Sequence, residues 1–465
     1  MPLFWAERGR SSLPPGLSLE GVRTPEKLGD CVVVGKPAGG FETVTVVSMG
    51  LREECTAERL RCVGGAVAGA MASRKLSSAA VDVREVTAVC PDEGAHALCE
   101  GLTLGSFRFD RHKTDAGRPV KLRVTLATGR ASKKLSTQVG RASLVAAATN
   151  YARELSHEPA NVINPVTLAA RARSMAKSAG LKCRIIDHRQ MQRLKMGAFL
   201  AVGQGSVSPP RLIVLEYGGR GGGGGKCVVL VGKAVTFDTG GYSLKDKDSI
   251  VGMKYDKCGG TAVLGVMQAV AALKIKGPVV GLVAAAENMV AGNAYRPNDI
   301  IRSMSGKTIE IISTDAEGRL VLADTLTFAQ KHYKPRAIID VATLTGGVVV
   351  ALGKTLAGLF CDNNGLRDQL LESGKRTFER LWPMPMHDEY FELLRSDDCD
   401  FKNSGSRGAH SSQGAVFLKQ FVDERIPWAH LDIAGVASVD KAGPYCPKGG
   451  TGFGVRLLCD YLERL

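Results

Sequence analysis

From residue 166 to residue 341 the chain alternates apolar, strand-length runs with helix-length segments, and this alternation limits the fold more than any other feature. Val166–Ser178 reads as a helix, Cys183–Ile186 and Arg211–Tyr217 as strands, and Lys226–Gly232 as a buried apolar strand. Helix Gly260–Lys274, strands Val279–Ala286 and Thr308–Ile312, helix Arg319–His332 and strand Ala337–Val341 follow. Such alternation predicts an α/β domain with a mixed, largely parallel sheet flanked by helices, with its chemistry at the carboxyl ends of the strands. Upstream, strands at Cys31–Val34, Glu42–Ser48, Ala79–Val83 and Val120–Ala127, with helices Ala57–Ser73 and Glu93–Gly101, predict a small N-terminal α/β domain over 1–140. A helix at Arg141–Leu155, stopped by Pro159 and Pro165, places the boundary at 141–165 and leaves 166–465 to the larger domain.

Composition narrows the class. With 465 residues, 44% of them hydrophobic, the chain can bury a substantial core, which argues against disorder. Its longest apolar run, near Pro278–Ala286, falls far short of the ~20 residues a membrane span needs. The twelve cysteines are scattered without a C-x-x-C, as expected for buried thiols in a reducing compartment, and the N-terminus lacks the apolar core of a secretory signal; a cytoplasmic protein is expected. The net charge of +15 is concentrated only in Arg108–Arg141, where ten basic residues face Asp110 and Asp115. A solvated face explains that cluster better than a DNA-binding surface, because Phe107 and Phe109 are the only interleaved aromatics. The glycine tract Gly218–Gly225 joins two strands rather than a strand and a helix, and lacks the pattern of a phosphate loop; a flexible surface loop is expected.

The chemistry lies beyond two strand ends. Strand Lys226–Gly232 runs into Lys233, Asp238, the pair Gly240–Gly241 and Lys245; Asp256 follows eleven residues later, before a helix. Strand Thr308–Ile312 runs into Asp315, Glu317 and Arg319. Taken singly, Asp256 and Asp315 read as helix caps, Glu317 as a favourable first-turn acid and each lysine as a surface charge. Together they read differently. An extended backbone would send Asp315 and Glu317 to one side. Four carboxylates converging there would repel unless divalent cations neutralised them. Two cations ~3.5–4 Å apart form a hydrolytic clamp, with Lys233, Lys245 and Arg319 available to a developing oxyanion.

The strings around these residues are similar to those of the leucyl aminopeptidases, also called cytosol aminopeptidases, a family of dizinc exopeptidases. They are TDAEGRLVLAD at Thr314–Asp324, VGKAVTFDTGGYSLK at Val231–Lys245, MKYD ending at Asp256, DVATLTG at Asp340–Gly346, WAHLDIAG at Trp428–Gly435 and TGFGVRLL near the C-terminus. The resemblance covers roughly residues 145–465. It implies one metal held by Asp238, Asp315 and Glu317, and a second by Lys233, Asp238, Asp256 and Glu317. It also implies a catalytic pair, Lys245 and Arg319, the latter holding a bicarbonate that acts as the general base. Met253, Thr343, Leu344 and Gly346 would line the pocket for the first side chain. The implied cofactors are two divalent ions per subunit, zinc with manganese, cobalt or magnesium at the looser site. Short peptides with a free N-terminus are the implied substrates, and a homohexamer the implied assembly; some bacterial relatives also bind DNA. Ser313, Lys257, Ala234 and Asn298 depart from the usual family pattern without removing a ligand.

Overall fold

The computed structural model describes residues 1, 3–7, 10–11, 25–34, 43–115, 122–128, 132–218 and 226–465. Residues 219–225 of the glycine tract, and Arg118, Lys121 and Arg130 of the basic cluster, lie outside them. The chain divides into two compact units, Met1–Asn150 with Asp440–Lys448, and Tyr151–Val439 with Gly449–Leu465. The division falls within the continuous helix Lys133–His157. No helix of the described residues is long and apolar enough to cross a membrane.

In the first unit, Val44–Ser48 is flanked by Leu3–Phe4 in parallel and Cys31–Val34 in antiparallel register, while Ser78–Asp82 runs parallel to Arg123–Ala127. Helix Ala57–Ser73, capped by the Thr56 hydroxyl, packs on helix Gly94–Gly105. The buried Arg61 Nε meets Glu100 Oε2 at 2.5 Å between them. Part of the basic cluster is engaged locally: Lys134 Nζ pairs with Asp92 at 2.5 Å.

The second unit is built on an eight-stranded sheet. Its strands are β1 (Lys182–Ile186), β2 (Arg211–Tyr217), β3 (Cys227–Asp238), β4 (Val279–Asn288), β5 (Pro335–Ala342), β6 (Ala357–Phe360), β7 (Leu381–Pro383) and β8 (Trp428–Asp432). They lie in the order β7-β6-β8-β5-β3-β4-β2-β1. The centre, β8-β5-β3-β4, is parallel; β6 on β8, β2 on β4 and β1 on β2 are antiparallel. The central strands are apolar on both faces because helices cover both. Helix α1 (Cys258–Ala272) packs on the face that Gly281 and Val283 present, and helix α2 (Gly318–His332) on the face of Val229, Val231 and Leu282.

Two expectations are corrected here. β3 does not stop at Gly232 but continues to Asp238, with a register shift against β4 between Val235 and Asp238. Thr308–Glu310 is not part of the main sheet; it belongs to a separate three-stranded sheet, antiparallel to Ile300–Arg302 and parallel to Phe401–Lys402.

Asp324, fully buried on α2, ties this framework together. Its Oδ2 accepts from Phe199 N (2.9 Å), in the first turn of helix Gly197–Gly203, and its Oδ1 from Met304 N (2.7 Å). Helix-start N–H groups lack partners within their own helix, so the carboxylate satisfies a real deficit. Burial nevertheless pushes the carboxyl up to about 7, against the lowering effect of those bonds. The folded state therefore binds more protons than the unfolded one from about pH 4 to about pH 7, and stability falls as pH rises through that window. Asp324→Asn should remove this part of the slope. Urea unfolding at pH 5 and pH 8 checks it: the wild type should lose ground relative to the variant at pH 8, and a constant difference would refute the assignment.

Candidate metal centre

Lys233 marks the point where β3 outruns its partner. Pairing with β5 ends at Gly232 opposite Val341, so the lysine side chain lies at the carboxyl edge of the parallel strands. It is 2% exposed. Its Nζ lies 2.8 Å from Asp256 Oδ1 and 2.7 Å from Glu317 Oε1, and donates to Thr343 O at 2.8 Å. A Cβ at 318 would sit 2.7 Å from the lysine amine, so a larger residue there would displace the Lys233 side chain from this position. Burial alone would lower the Lys233 ammonium, but Asp256, Glu317 and Asp238 outweigh it and hold the group above its ordinary range.

Beyond Asp238 the chain reverses through Gly240 and Gly241, both at positive φ. The turn brings Lys245 back, with Nζ 3.0 Å from Asp238 Oδ2 and 2.5 Å from Asp315 Oδ1. Burial opposes the Lys245 charge and the carboxylates of Asp238, Glu317 and Asp315 overcome that opposition, so this ammonium too is held high.

Neither acid before a helix serves as its cap. α1 begins after Lys257 and α2 after Glu317, and neither N-terminus is capped by a side chain. Asp256 instead accepts at Oδ1 from the Thr343 hydroxyl (2.7 Å), while its buried Oδ2 has no partner among the described residues. The backbone at 315 is also not extended as expected. Residues 314–315 form a turn, with Ser313 Oγ accepting from Asp315 N at 3.2 Å, and it is this turn that directs Asp315 and Glu317 to a common point. One oxygen from each of Asp238, Asp315 and Glu317 falls within 4.8 Å of the others.

The charge balance is unfavourable without cations. Burial, then the charge of Asp238, raises Asp315 and pushes Glu317 up to about 8, with Lys233 offsetting only part of the effect on Glu317. Asp256 is pushed up to about 6, again chiefly by burial. Four carboxylates against two ammonium groups, with the buried Asp256 Oδ2 unpartnered among the described residues, form a set suited to hard or borderline divalent cations, with the Lys233 nitrogen as a further donor once deprotonated.

The remaining expected residues fall around this cluster. Thr343 touches both Asp256 and Lys233, as above. Leu344 N donates to Asp432 Oδ1 (3.1 Å), and the Thr345 hydroxyl to Asp432 Oδ2 (2.7 Å), fixing the loop after β5. Gly346 opens helix Gly346–Leu352, and Met253 opens the single turn that delivers Asp256. Arg319 is 1% exposed; its Nη1 donates to Asn403 O (2.7 Å) and its Nε has no partner among the described residues. Burial lowers the guanidinium to about 10, still charged at neutral pH.

Some residues holding the cluster were not anticipated. Asn288, the last residue of β4, donates through Nδ2 to Asp238 Oδ1 (2.8 Å) and Thr314 O (3.0 Å). Tyr295 donates to the same carbonyl (2.7 Å), and the Thr314 hydroxyl to Gly240 O (2.5 Å). A polar residue closing the apolar run of β4 was the visible signal for Asn288; nothing local marked the others.

A buried cluster of carboxylates at the carboxyl end of the central strands of a mixed α/β sheet is an arrangement suited to binding divalent cations. The catalytic-domain model of the cytosol aminopeptidase family matches residues 150–459, and the N-terminal-domain model of the same family residues 26–116. The chain belongs to this family, that of the leucyl aminopeptidases, and is an aminopeptidase. A probable cytosol aminopeptidase of Geotalea uraniireducens (strain Rf4) is 45% identical over 437 residues, 91% of this chain and 86% of the relative. One from Exiguobacterium sibiricum is 42% identical over 462 residues, 98% and 94% of the two chains. Among solved structures, the bottromycin maturation enzyme BotP in complex with Mn superposes with a TM-score of 0.90 at 32% identity, covering 100% of this chain and 98% of that one. A mutant of tomato leucine aminopeptidase gives 0.85 at 34% identity, covering 94% and 84%.

Proposed function

We propose that this chain releases N-terminal, leucine-like residues from short peptides with the aid of two divalent cations. The observation that carries the reading is the convergence of Asp238, Asp256, Asp315 and Glu317 around Lys233 and Lys245 at the carboxyl end of β3. Asp238, Asp315 and Glu317 would hold one ion; Lys233, Asp238, Asp256 and Glu317 would hold the other. When bound, the pair supplies Lewis acidity and a water acidic enough to attack at neutral pH.

The chain's own groups do the rest. Lys233 must give up its proton to serve as a ligand, and its position between Asp256 and Glu317 keeps the amine aimed at the site. Lys245, held protonated and partly open to solvent, can donate to the oxygen that gains charge as the scissile carbonyl is attacked. Arg319 stays charged and cannot act as a base, but its unpartnered Nε suits an anion, and a bicarbonate there would supply the proton acceptor. Met253, Thr343, Leu344 and Gly346 would bound the side-chain pocket; apolar walls separate neighbouring aliphatic residues by only about 1–3 kcal/mol per methylene. The Mn complex of BotP supports manganese as one competent ion. The family resemblance supports zinc, a homohexamer and a cytoplasmic setting.

Hydrolysis of leucine amide by the purified chain, after chelation and again after adding Zn²⁺, Mn²⁺ or Co²⁺, tests the reading. Activity should vanish on chelation and return with metal. Activity that survives complete chelation would refute the metal-dependent mechanism.

A further inference from the structure

The segment carrying Asp315 and Glu317 leaves its small sheet beside the strand Phe401–Lys402, which runs parallel to Thr308–Glu310. The residue after that strand, Asn403, is completely buried, and its polar atoms engage the metal-bearing loop. Its N–H donates to Glu310 O (2.9 Å). Its side-chain Oδ1 accepts from Ile312 N (2.8 Å) and Ser313 N (3.2 Å), and its Nδ2 donates to Ser313 O (2.6 Å) and Ala316 O (3.5 Å). Its own carbonyl accepts from Arg319 Nη1 (2.7 Å). One residue thus closes the turn that presents two carboxylates and also seats the arginine beside them.

We infer that Asn403 is a positioning residue for the reaction, whose side-chain amide holds the Ile312–Ala316 turn in the shape that brings Asp315 and Glu317 together and aligns them with Arg319. The inference rests on the reading of Asp315 and Glu317 as metal ligands. An amide suits this task because it is both donor and acceptor, and the turn offers two N–H groups and two carbonyls in its reach. With no regular ladder at residues 312–316, these bonds take the place of secondary structure. Asn403→Ala would leave them buried and unmade, and the turn would relax to find other partners. Asn403→Asp keeps the acceptor for Ile312 and Ser313 but loses both donor bonds.

The test is a titration of the chelated full-length chain with Mn²⁺ alone, read by the electron paramagnetic resonance of free Mn²⁺ well below the melting temperature, together with kcat and KM for leucine amide. Asn403→Ala should weaken Mn²⁺ binding and lower kcat, each by about 10–100-fold, with KM moving less, in line with the loss of groups that orient metal ligands. Asn403→Asp should fall between Asn403→Ala and wild type in Mn²⁺ affinity; if Asn403→Ala fails to fold, this variant is read against the wild type by the same criteria. A lowered melting temperature with wild-type Mn²⁺ affinity and kcat would overturn the inference, leaving Asn403 a purely structural residue. Glu317→Ala serves as the reference: wild-type Mn²⁺ binding in that variant would overturn the metal reading itself, whereas defective binding in Glu317→Ala beside normal binding in Asn403→Ala would overturn only the positioning role.

Discussion

Glu317→Ala is expected to lower kcat/KM for leucine amide by about a thousand-fold or more, which corresponds to about 4 kcal/mol of transition-state stabilisation. Glu317 is the one carboxylate that both contacts Lys233 and shares a three-oxygen cluster with Asp238 and Asp315. It therefore belongs to both proposed ion positions, and its loss should weaken each. The cost to the fold should be small by comparison. Burial pushes this carboxyl up to about 8, so the ionised group alone is not a stabilising feature of the fold. The distinguishing measurement is metal stoichiometry alongside activity and melting temperature. A variant that keeps two ions and wild-type turnover would remove Glu317 from the ligand set.

Lys245→Met should show a different profile. A fall in kcat of about 100–1000-fold is expected, the usual consequence of removing one donor to a developing oxyanion, with little change in KM. Metal affinity should be unchanged or higher, because Lys245 competes with any cation for Asp238 and Asp315. Glu317→Ala lowers occupancy and rate together, whereas Lys245→Met should lower rate at full occupancy. Parallel loss of both in Lys245→Met would mean that the lysine acts by organising the carboxylates and not on the substrate.

The contrast between what could be read from the residues and what could not follows the range of the interactions. β-branched runs announce β3 and β4, and the abrupt change to charged and glycine residues marks where β3 delivers its chemistry. Lys233, Asp238, Asp256, Asp315 and Glu317 do come together. The strands that the main sheet takes from beyond Val341 are only three to five residues long and carry little periodic signal. The turn at Asp315 departs from the extended backbone expected there because its geometry is imposed from Asn403, some ninety residues later, and from Gly240 and Ser243 on the preceding loop. Thr314 and Asn403 act through side-chain-to-backbone hydrogen bonds to residues some seventy to ninety positions away, and local propensity contains no trace of them.

The outrun of β3 past β5 bears on how partly folded chains behave. Lys233 comes from the middle of the sheet, Asp256 from the approach to α1 and Glu317 from the start of α2, while the Thr343 contacts exist only if β5 is in register. The proposed donors run from Lys233 to Glu317, so no shorter stretch of sequence contains them all. A cation held here as proposed would discriminate chains in which these central elements are assembled from those in which they are not, and by mass action it would enrich the assembled population.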